Sequence, residues 1–262
     1  MQPTKKYTVI TGASSGIGRE TAKAFAGRGK NLIVAARRTE DLEALKREVK
    51  EQHPTLDVVI RTVDLSVLEN VYRFYSSLKD FQLETWVNNA GFGNYDSVAQ
   101  QDLEKIDTML RLNVEALTIL SSLFVRDYKD APGTQLINIS SAGGYTIVPT
   151  AVTYCATKSY VSTFTEGLAW ELIGTGAKLR AKVLAPAATQ TEFGKKANNV
   201  DAYDYDKAFG TYHTSRQMAE FLLQLYDSDS TLGIVDRETF RFELRPPMLP
   251  YADSSTHGQD PN

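Results

Sequence analysis

Between Tyr7 and Gly18 the chain reads YTVITGASSGIG, an apolar run that breaks into a glycine-rich turn and resumes at helical spacing. Tyr7, Val9 and Ile10 form a short β-prone run, and Thr21, Ala24 and Phe25 follow Ile17 on one helical face. The pattern predicts a strand that passes through a tight turn into a helix. Gly12 permits the turn, Gly16 lets backbone amides approach an anion, and Gly18 lets the helix lie close against the strand. The unpaired N–H groups of such a helix start, with its positive potential, suit a pyrophosphate. Gly12, Ser14, Ser15, Gly16, Ile17 and Gly18 are therefore candidate phosphate-binding residues. The spacing is TGxxxGxG and the commoner GxGxxG is absent, so the turn alone is equally compatible with a purely structural role.

The rest of the chain repeats the strand–helix alternation. NLIVAA (residues 31–36) is a continuous apolar run suited to a strand covered on both faces, and Leu42, Leu45 and Val49 mark a second helix. A third strand is expected over residues 58–63, with Ser66 and Glu69 as a capping box ahead of Leu68, Val71, Phe74 and Leu78. Further strands are expected at residues 85–91, 135–140 and 178–185, with helices around 109–124, 152–173 and 215–226. Such alternation implies a parallel, doubly wound α/β sheet with helices on both faces. Ligands in such sheets lie beyond the carboxyl ends of the strands. The polar and glycine-rich segments gather there: residues 12–18, 36–38, 64–65, 89–91, 140–141 and 186–191.

At 262 residues and 42% hydrophobic, the chain can bury a large core as one domain, expected over residues 1–246. The balance of 29 basic against 32 acidic residues gives a net charge of -3, with no basic block to support nucleic-acid binding. A strand beginning by Tyr7 leaves no room for a signal peptide, and the sequence has no evident run of about 18 apolar residues, so no membrane attachment is expected. The single cysteine, Cys155, cannot form an internal disulfide and points to a reducing cytoplasm. His53, His213 and His257 lack metal-ligand spacing, so no metal is expected. The sequon at Asn138 falls in an apolar strand and reads as accidental.

In an NAD-binding fold an acidic residue commonly follows the glycines by about 20 positions and meets the adenosine ribose. Here that place reads Ala35, Ala36, Arg37, Arg38. Two guanidiniums without a carboxylate suit a 2′-phosphate and favour NADP over NAD, although arginines also cap surface turns. Tyr154 and Lys158, four positions apart on an expected helix, project from one face. A neighbouring ammonium favours the phenolate, and lowering a phenol from about 10 to about 7 takes on the order of 4 kcal/mol. The YxxxK spacing recurs at Tyr75/Lys79, which extends an apolar helix face, and at Tyr203/Lys207, in a polar stretch. Only Tyr154 follows a strand end that carries a hydroxyl, Ser141, suited to holding a carbonyl oxygen.

Taken in order, TGASSGIG, NNAG, Asn113 in RLNV, Ser141 and YCATK resemble the short-chain dehydrogenase/reductase family of about 250 residues, over roughly residues 7–193. The resemblance implies a Rossmann-like single domain and an NADP(H)-dependent oxidoreductase that moves a hydride between nicotinamide and a carbonyl or secondary alcohol. It implies Tyr154 as general acid/base, Lys158 as its pKa modifier and ribose ligand, Ser141 as carbonyl orienter, and Asn113 as holder of a relay water through a distorted helix. It further implies that Asp64 and Leu65 flank the adenine, Asn89, Ala90 and Gly91 line the adenosine side, and Pro186, Thr189 and Thr191 meet the nicotinamide end. The family commonly has Pro-Gly where this chain has Pro186-Ala187, which leaves the local backbone there in question. Cys155 reads as a packing residue.

Substrate choice is expected in loops 92–95 and 145–149 and in an aromatic lid over residues 193–213, which suit a medium-sized apolar or aromatic carbonyl compound, a small-molecule carbonyl or alcohol, although such aromatics pack on themselves as often as on ligands. Residues 233–245 suit an edge strand or hairpin, and residues 247–262 a loose arm or one whose Met248, Leu249 and Tyr251 dock on a neighbouring subunit. The family is often dimeric or tetrameric through the helix carrying Tyr154, so a homodimer or homotetramer is expected. The competing readings are an NADP-binding sensor without turnover, which has no need of a proton relay, and an epimerase or dehydratase of the longer related enzymes, disfavoured by the glycine spacing.

Overall fold

The computed structural model describes residues 5–252. Its first half runs β1 (Lys6–Thr11), α1 (Gly16–Gly27), β2 (Asn31–Ala36), α2 (Thr39–Gln52), β3 (Val58–Thr62), α3 (Leu68–Ser76), β4 (Gln82–Asn88), α4 (Leu103–Leu110) and α5 (Leu117–Tyr128). Then come β5 (Gln135–Ile139), α6 (Val152–Gly174), β6 (Arg180–Ala185), β7 (Thr189–Gln190), α7 (Phe193–Asn198), α8 (Tyr205–Phe209), β8 (His213–Thr214), α9 (Ser215–Asp227), β9 (Leu232–Val235) and β10 (Phe242–Arg245). The main sheet has the order β3-β2-β1-β4-β5-β6-β9-β10 and is parallel except for β10. Its order reverses between β1 and β4, where the crossovers to either side part and open a crevice.

Two cores lie on the two faces. On one, Phe25 of α1 and Leu222 of α9 pack with Ile10 and Val34; on the other, Trp86 and Phe124 pack with Val9 and Ile33. Each such side chain contributes roughly 1.5–3 kcal/mol on burial. Asn138, the residue of the sequon, is buried between Asn88 and Thr165, within hydrogen-bond distance of both.

The glycine turn is held by contact. Gly12 has φ +67°, and a Cβ there would stand 2.8 Å from the Ala90 Cα. A Cβ on Gly18 would stand 2.4 Å from the Asn89 Nδ2 and 2.5 Å from the Gly12 carbonyl oxygen. Only a hydrogen fits at either place.

Several elements depart from expectation. Ser66 does not cap α3: its hydroxyl donates to the Asp64 carboxylate at 2.7 Å, and the cap position falls one residue later, on Val67. The helix expected over 109–124 is a unit from Leu103 to Tyr128, started by the Asp102 carboxylate and widened into a π turn over Arg111–Ala116. By length and composition it could cross a bilayer, against expectation, because its few charges are spread thinly. Its residues Leu117, Leu120 and Phe124 are buried in the fold. Residues 233–245 form a hairpin, with β9 parallel to β6 and β10 antiparallel at the edge.

The described part of the C-terminal arm turns onto its own chain. The buried carboxylate of Glu166 accepts the Met248 and Leu249 N–H groups at 2.6 and 2.8 Å and the Tyr145 hydroxyl, while Tyr251 stacks on Trp170. A buried carboxylate needs such donors, and the proline-rich segment supplies two of them. Residues 253–262 lie outside the described residues.

Lys182, in the middle of the sheet, is 1% exposed and donates to the carbonyls of Leu225, Tyr226 and Ser228 at 2.7, 3.1 and 2.6 Å. Its ammonium closes the C-terminus of α9, where negative potential gathers. Lys182→Met is expected to cost about 2 kcal/mol and lower Tm by roughly 4–8 °C, read by thermal unfolding. Gly18→Ala is expected to lower Tm and weaken dinucleotide binding, whereas Gly27→Ala, in the same helix and with no atom within 4 Å, should leave binding unchanged and raise stability by up to about 1 kcal/mol.

Candidate active site

A cleft of about 640 Å³ opens above the crevice. Gly12, Ser15, Gly16 and Ile17 line one end of it, and Asn89, Ala90 and Gly91 the strand opposite. The Asn89 amide donates to the carbonyls of Thr11 and Gly12 at 2.9 and 3.2 Å, and the Thr11 hydroxyl accepts the Asn89 and Ala90 N–H groups. Ser15 stands at the N-cap of α1 without a side-chain capping bond, which leaves the first-turn amides to an external anion. A turn open to close approach and an uncapped helix start fit a diphosphate.

At the other end stand Ser141, Tyr154, Lys158, Pro186, Thr189 and Thr191. Tyr154 and Lys158 come from the first turns of α6 and are both buried. The Lys158 ammonium donates to the Ile139 carbonyl at 2.8 Å and lies 5.9 Å from the centre of the Tyr154 ring. Gly91 makes room for this group: a Cβ there would be 2.9 Å from the Asn113 Oδ1 and 3.7 Å from the Lys158 Nζ. The Ser141 hydroxyl accepts the Gly143 N–H at 3.0 Å, so it also caps the turn in which it sits.

Asn113 lies behind the cleft, in the π turn. Its amide clamps Phe92, accepting the Phe92 N–H at 3.2 Å and donating to its carbonyl at 2.9 Å, and it donates to the Thr157 hydroxyl at 3.1 Å. Thr157, between Tyr154 and Lys158 in sequence, donates in turn to the Tyr154 carbonyl at 2.7 Å. The distortion of the helix at Asn113 is the one the resemblance implied.

The acidity of Tyr154 runs against expectation. Burial drives its pKa well above the usual phenol value, and the Ser141 hydroxyl offsets only part of that rise. Lys158 does not lower it here, because its ammonium is directed at Ile139 and burial brings its own pKa down to about 8.

The adenosine end is built from exposed charge. Arg38 pairs with Asp41 at 2.7 Å and Glu192 at 3.0 Å, and donates to the Ser14 hydroxyl at 3.2 Å. Arg37 lies 4.0 Å from Asp64, beside a second hollow of about 490 Å³. Leu65 is buried and lines neither hollow, and Ser14 and Gly18 support the turn from outside the cleft.

All three expected substrate loops contribute walls. Phe193 packs on Tyr154 with ring centres 5.3 Å apart, and Tyr95 stands edge-on to both rings. The segment expected as a lid holds α7 and α8, is tied back by pairing of β7 with β8, and clusters Tyr203, Tyr205 and Phe209. Cys155 is buried beside Tyr154 as a packing residue. Ala187 lines the cleft without a positive φ, so the backbone there accepts alanine without strain. Sequence reading missed Glu192, Arg237 and Phe240, which reach the cleft from its far wall and from the β9–β10 hairpin. No motif marks them; only the pairing of β9 with β6 brings the hairpin there.

The family model described as short chain dehydrogenase matches residues 6–202. The chain is 30% identical over 242 residues to human dehydrogenase/reductase SDR family member 11, covering 88% of this chain and 92% of that one. It is 33% identical over 188 residues to the sulfoacetaldehyde reductase of Chromohalobacter salexigens, covering 70% and 72%. Among solved structures, the short-chain dehydrogenase from Sphingobium yanoikuyae in complex with NADPH aligns with TM-score 0.80 at 28% identity over 87% of each chain. The alcohol dehydrogenase of Thermococcus sibiricus complexed with 5-hydroxy-NADP aligns at TM-score 0.77 and 25% identity, covering 91% and 99%. On the family-model match over residues 6–202 and the 30% identity to a relative across 88% of its length, the chain belongs to the short-chain dehydrogenases/reductases.

Proposed function

We propose that the chain is an NADP(H)-dependent carbonyl reductase in which Tyr154 donates the proton. The observation that carries this reading is the meeting of the glycine turn and the buried Tyr154–Lys158 pair on one cleft. The dinucleotide, when bound, supplies the hydride. Gly12, Gly16 and the first turn of α1 would hold its diphosphate, and Asn89 to Gly91 and Thr189 to Thr191 would flank it. Arg37 and Arg38 favour NADP: their carboxylate partners are exposed pairs worth about 0–1 kcal/mol each, which a phosphate dianion can replace.

A phenol held protonated by burial suits the acid of a reduction, because it gives up its proton only as negative charge forms on a carbonyl oxygen nearby. Turned from the Ile139 carbonyl toward the phenol oxygen, the Lys158 ammonium would then stabilise the resulting phenolate, and Ser141 would orient the carbonyl. The names of the sulfoacetaldehyde reductase relative and of the NADPH-bound neighbour support both the reaction class and the cofactor. A homodimer or homotetramer is supported by the exposed face of α6, where Tyr160 stacks on Phe164. A cytoplasmic site is supported by the free thiol of Cys155.

Tyr154→Phe is expected to cut NADPH-dependent carbonyl reduction by at least about 100-fold while NADPH binding persists, measured by absorbance and by calorimetry. Wild type is expected to favour NADPH over NADH in kcat/KM, and Arg38→Asp to reverse that order; an unchanged order would refute the assignment. Lys158 is protonated below about 8 and loses its charge above it. Reduction is therefore expected to hold at lower pH and fall as pH rises through that value, checked by a kcat/KM profile from pH 6 to 10.

A further inference from the structure

The substrate end of the cleft has aromatic walls and one uncommitted charge. Tyr95, Phe193, Tyr203, Phe209 and Phe240 supply the walls. Three other charged groups line the cleft. Lys158 is directed at Ile139, and Glu192 and Lys196 pair with one another at 3.0 Å, with Glu192 also held by Arg38, so that its pKa falls to about 2. Arg237 also lines the cleft and, among the described residues, makes no ion pair and no side-chain hydrogen bond. Arg237 is itself exposed, at the mouth of the cleft whose inner wall includes Tyr95, the residue edge-on to Tyr154.

The hairpin turn sets the backbone that carries this arginine to the cleft. The Asp236 carboxylate accepts the Glu238 and Thr239 N–H groups at 3.0 and 2.7 Å and the Thr239 hydroxyl at 2.9 Å, which uses it locally and leaves it no ion pair with its neighbour Arg237. Phe240 closes the turn at φ +54°, a conformation costly for a bulky side chain, and packs on His213. The turn thereby sends Arg237 and Phe240 to the same cleft as Tyr154. Arg237 also lies outside residues 6–202, the part matched by the family model.

We propose that Arg237 is the specificity-determining residue of this site and selects aromatic aldehydes or ketones that carry an anionic group, carboxylate or sulfonate, remote from the carbonyl. This rests on the reductase reading. The aromatic walls take the ring, Tyr154 meets the carbonyl and the guanidinium meets the anion with paired charge-assisted hydrogen bonds. In the reaction a hydride from NADPH adds to the carbonyl carbon, the Tyr154 proton goes to the oxygen, and an alcohol and NADP+ result.

The test separates binding from turnover. Calorimetry on the NADP+-loaded protein, which cannot reduce an aldehyde, compares 4-formylbenzoate with its uncharged methyl ester. Wild type is expected to bind the anion at least about tenfold more tightly, and Arg237→Gln to abolish that preference while leaving affinity for the ester unchanged. Equal binding of the two probes, binding of neither, or an equal loss for both in R237Q would overturn the proposal. With NADPH, R237Q should raise KM for 4-formylbenzoate and leave kcat within about twofold. Charge-selective binding without any NADPH oxidation would instead count against the reductase reading and leave the role of Arg237 in place.

Discussion

An ammonium kept almost out of water, with a strand-end carbonyl as its hydrogen-bond partner, is the constraint around which the site is arranged. Moving a charge of that size from water costs several kcal/mol unless new partners replace the lost solvent. Burial brings the pKa of Lys158 down to about 8, while the Ile139 carbonyl at 2.8 Å supplies its hydrogen-bond partner. The same dry surroundings raise Tyr154, so the pair stands as a neutral phenol beside a cation. That arrangement is poised for one event: negative charge arriving at the phenol oxygen. Burial makes the phenol reluctant to ionise, and the Ser141 hydroxyl offsets only part of that reluctance.

Backbone packing makes this burial possible. The carbonyl that receives Lys158 ends β5, and α6 lies so close to the segment after it that a Cβ on Gly144 would come within 2.6 Å of the Lys158 carbonyl oxygen. Ser140 bridges the same two elements, donating to that carbonyl at 2.8 Å. Gly91 then lets β4 approach from the other side. Two glycines on neighbouring strand ends thus set how far the side chains on α6 are covered, just as Gly12 and Gly18 set how near the phosphate turn lies to β4. The rigid part of the site is made where side chains are absent.

These close approaches are the part of the molecule most legible in the sequence. A glycine that must be glycine leaves a mark, and so does a tyrosine four residues before a lysine on a helix that follows a strand. The parallel sheet was legible because apolar runs such as residues 31–36 need cover on both faces. What escaped was decided by competition between neighbours. Ser66 sits one residue before the cap position of its helix and turns to Asp64, an offset that spacing does not reveal. The acidity of Tyr154 was misjudged for a like reason: the sequence shows that a lysine is near, but not that both groups are buried or that a carbonyl directs the ammonium. The destination of the arm was hidden because it depends on Glu166, a buried carboxylate on α6 whose need for donors appears only in three dimensions.

Glu166 also connects regions that look independent in the chain. One carboxylate oxygen accepts from the arm and the other from the hydroxyl of Tyr145, in the loop that leads from Ser141 to the wall residues Val148 and Pro149. Removing the arm would leave a buried anion with a single donor, a costly state that the loop could relieve only by moving. The substrate end is thus braced by the chain beyond the family-matched segment in two separate ways: by the arm behind one wall and by the Arg237 hairpin at another. The cofactor end needs no such bracing, since the glycine turn, Asn89 and Thr11 lock one another.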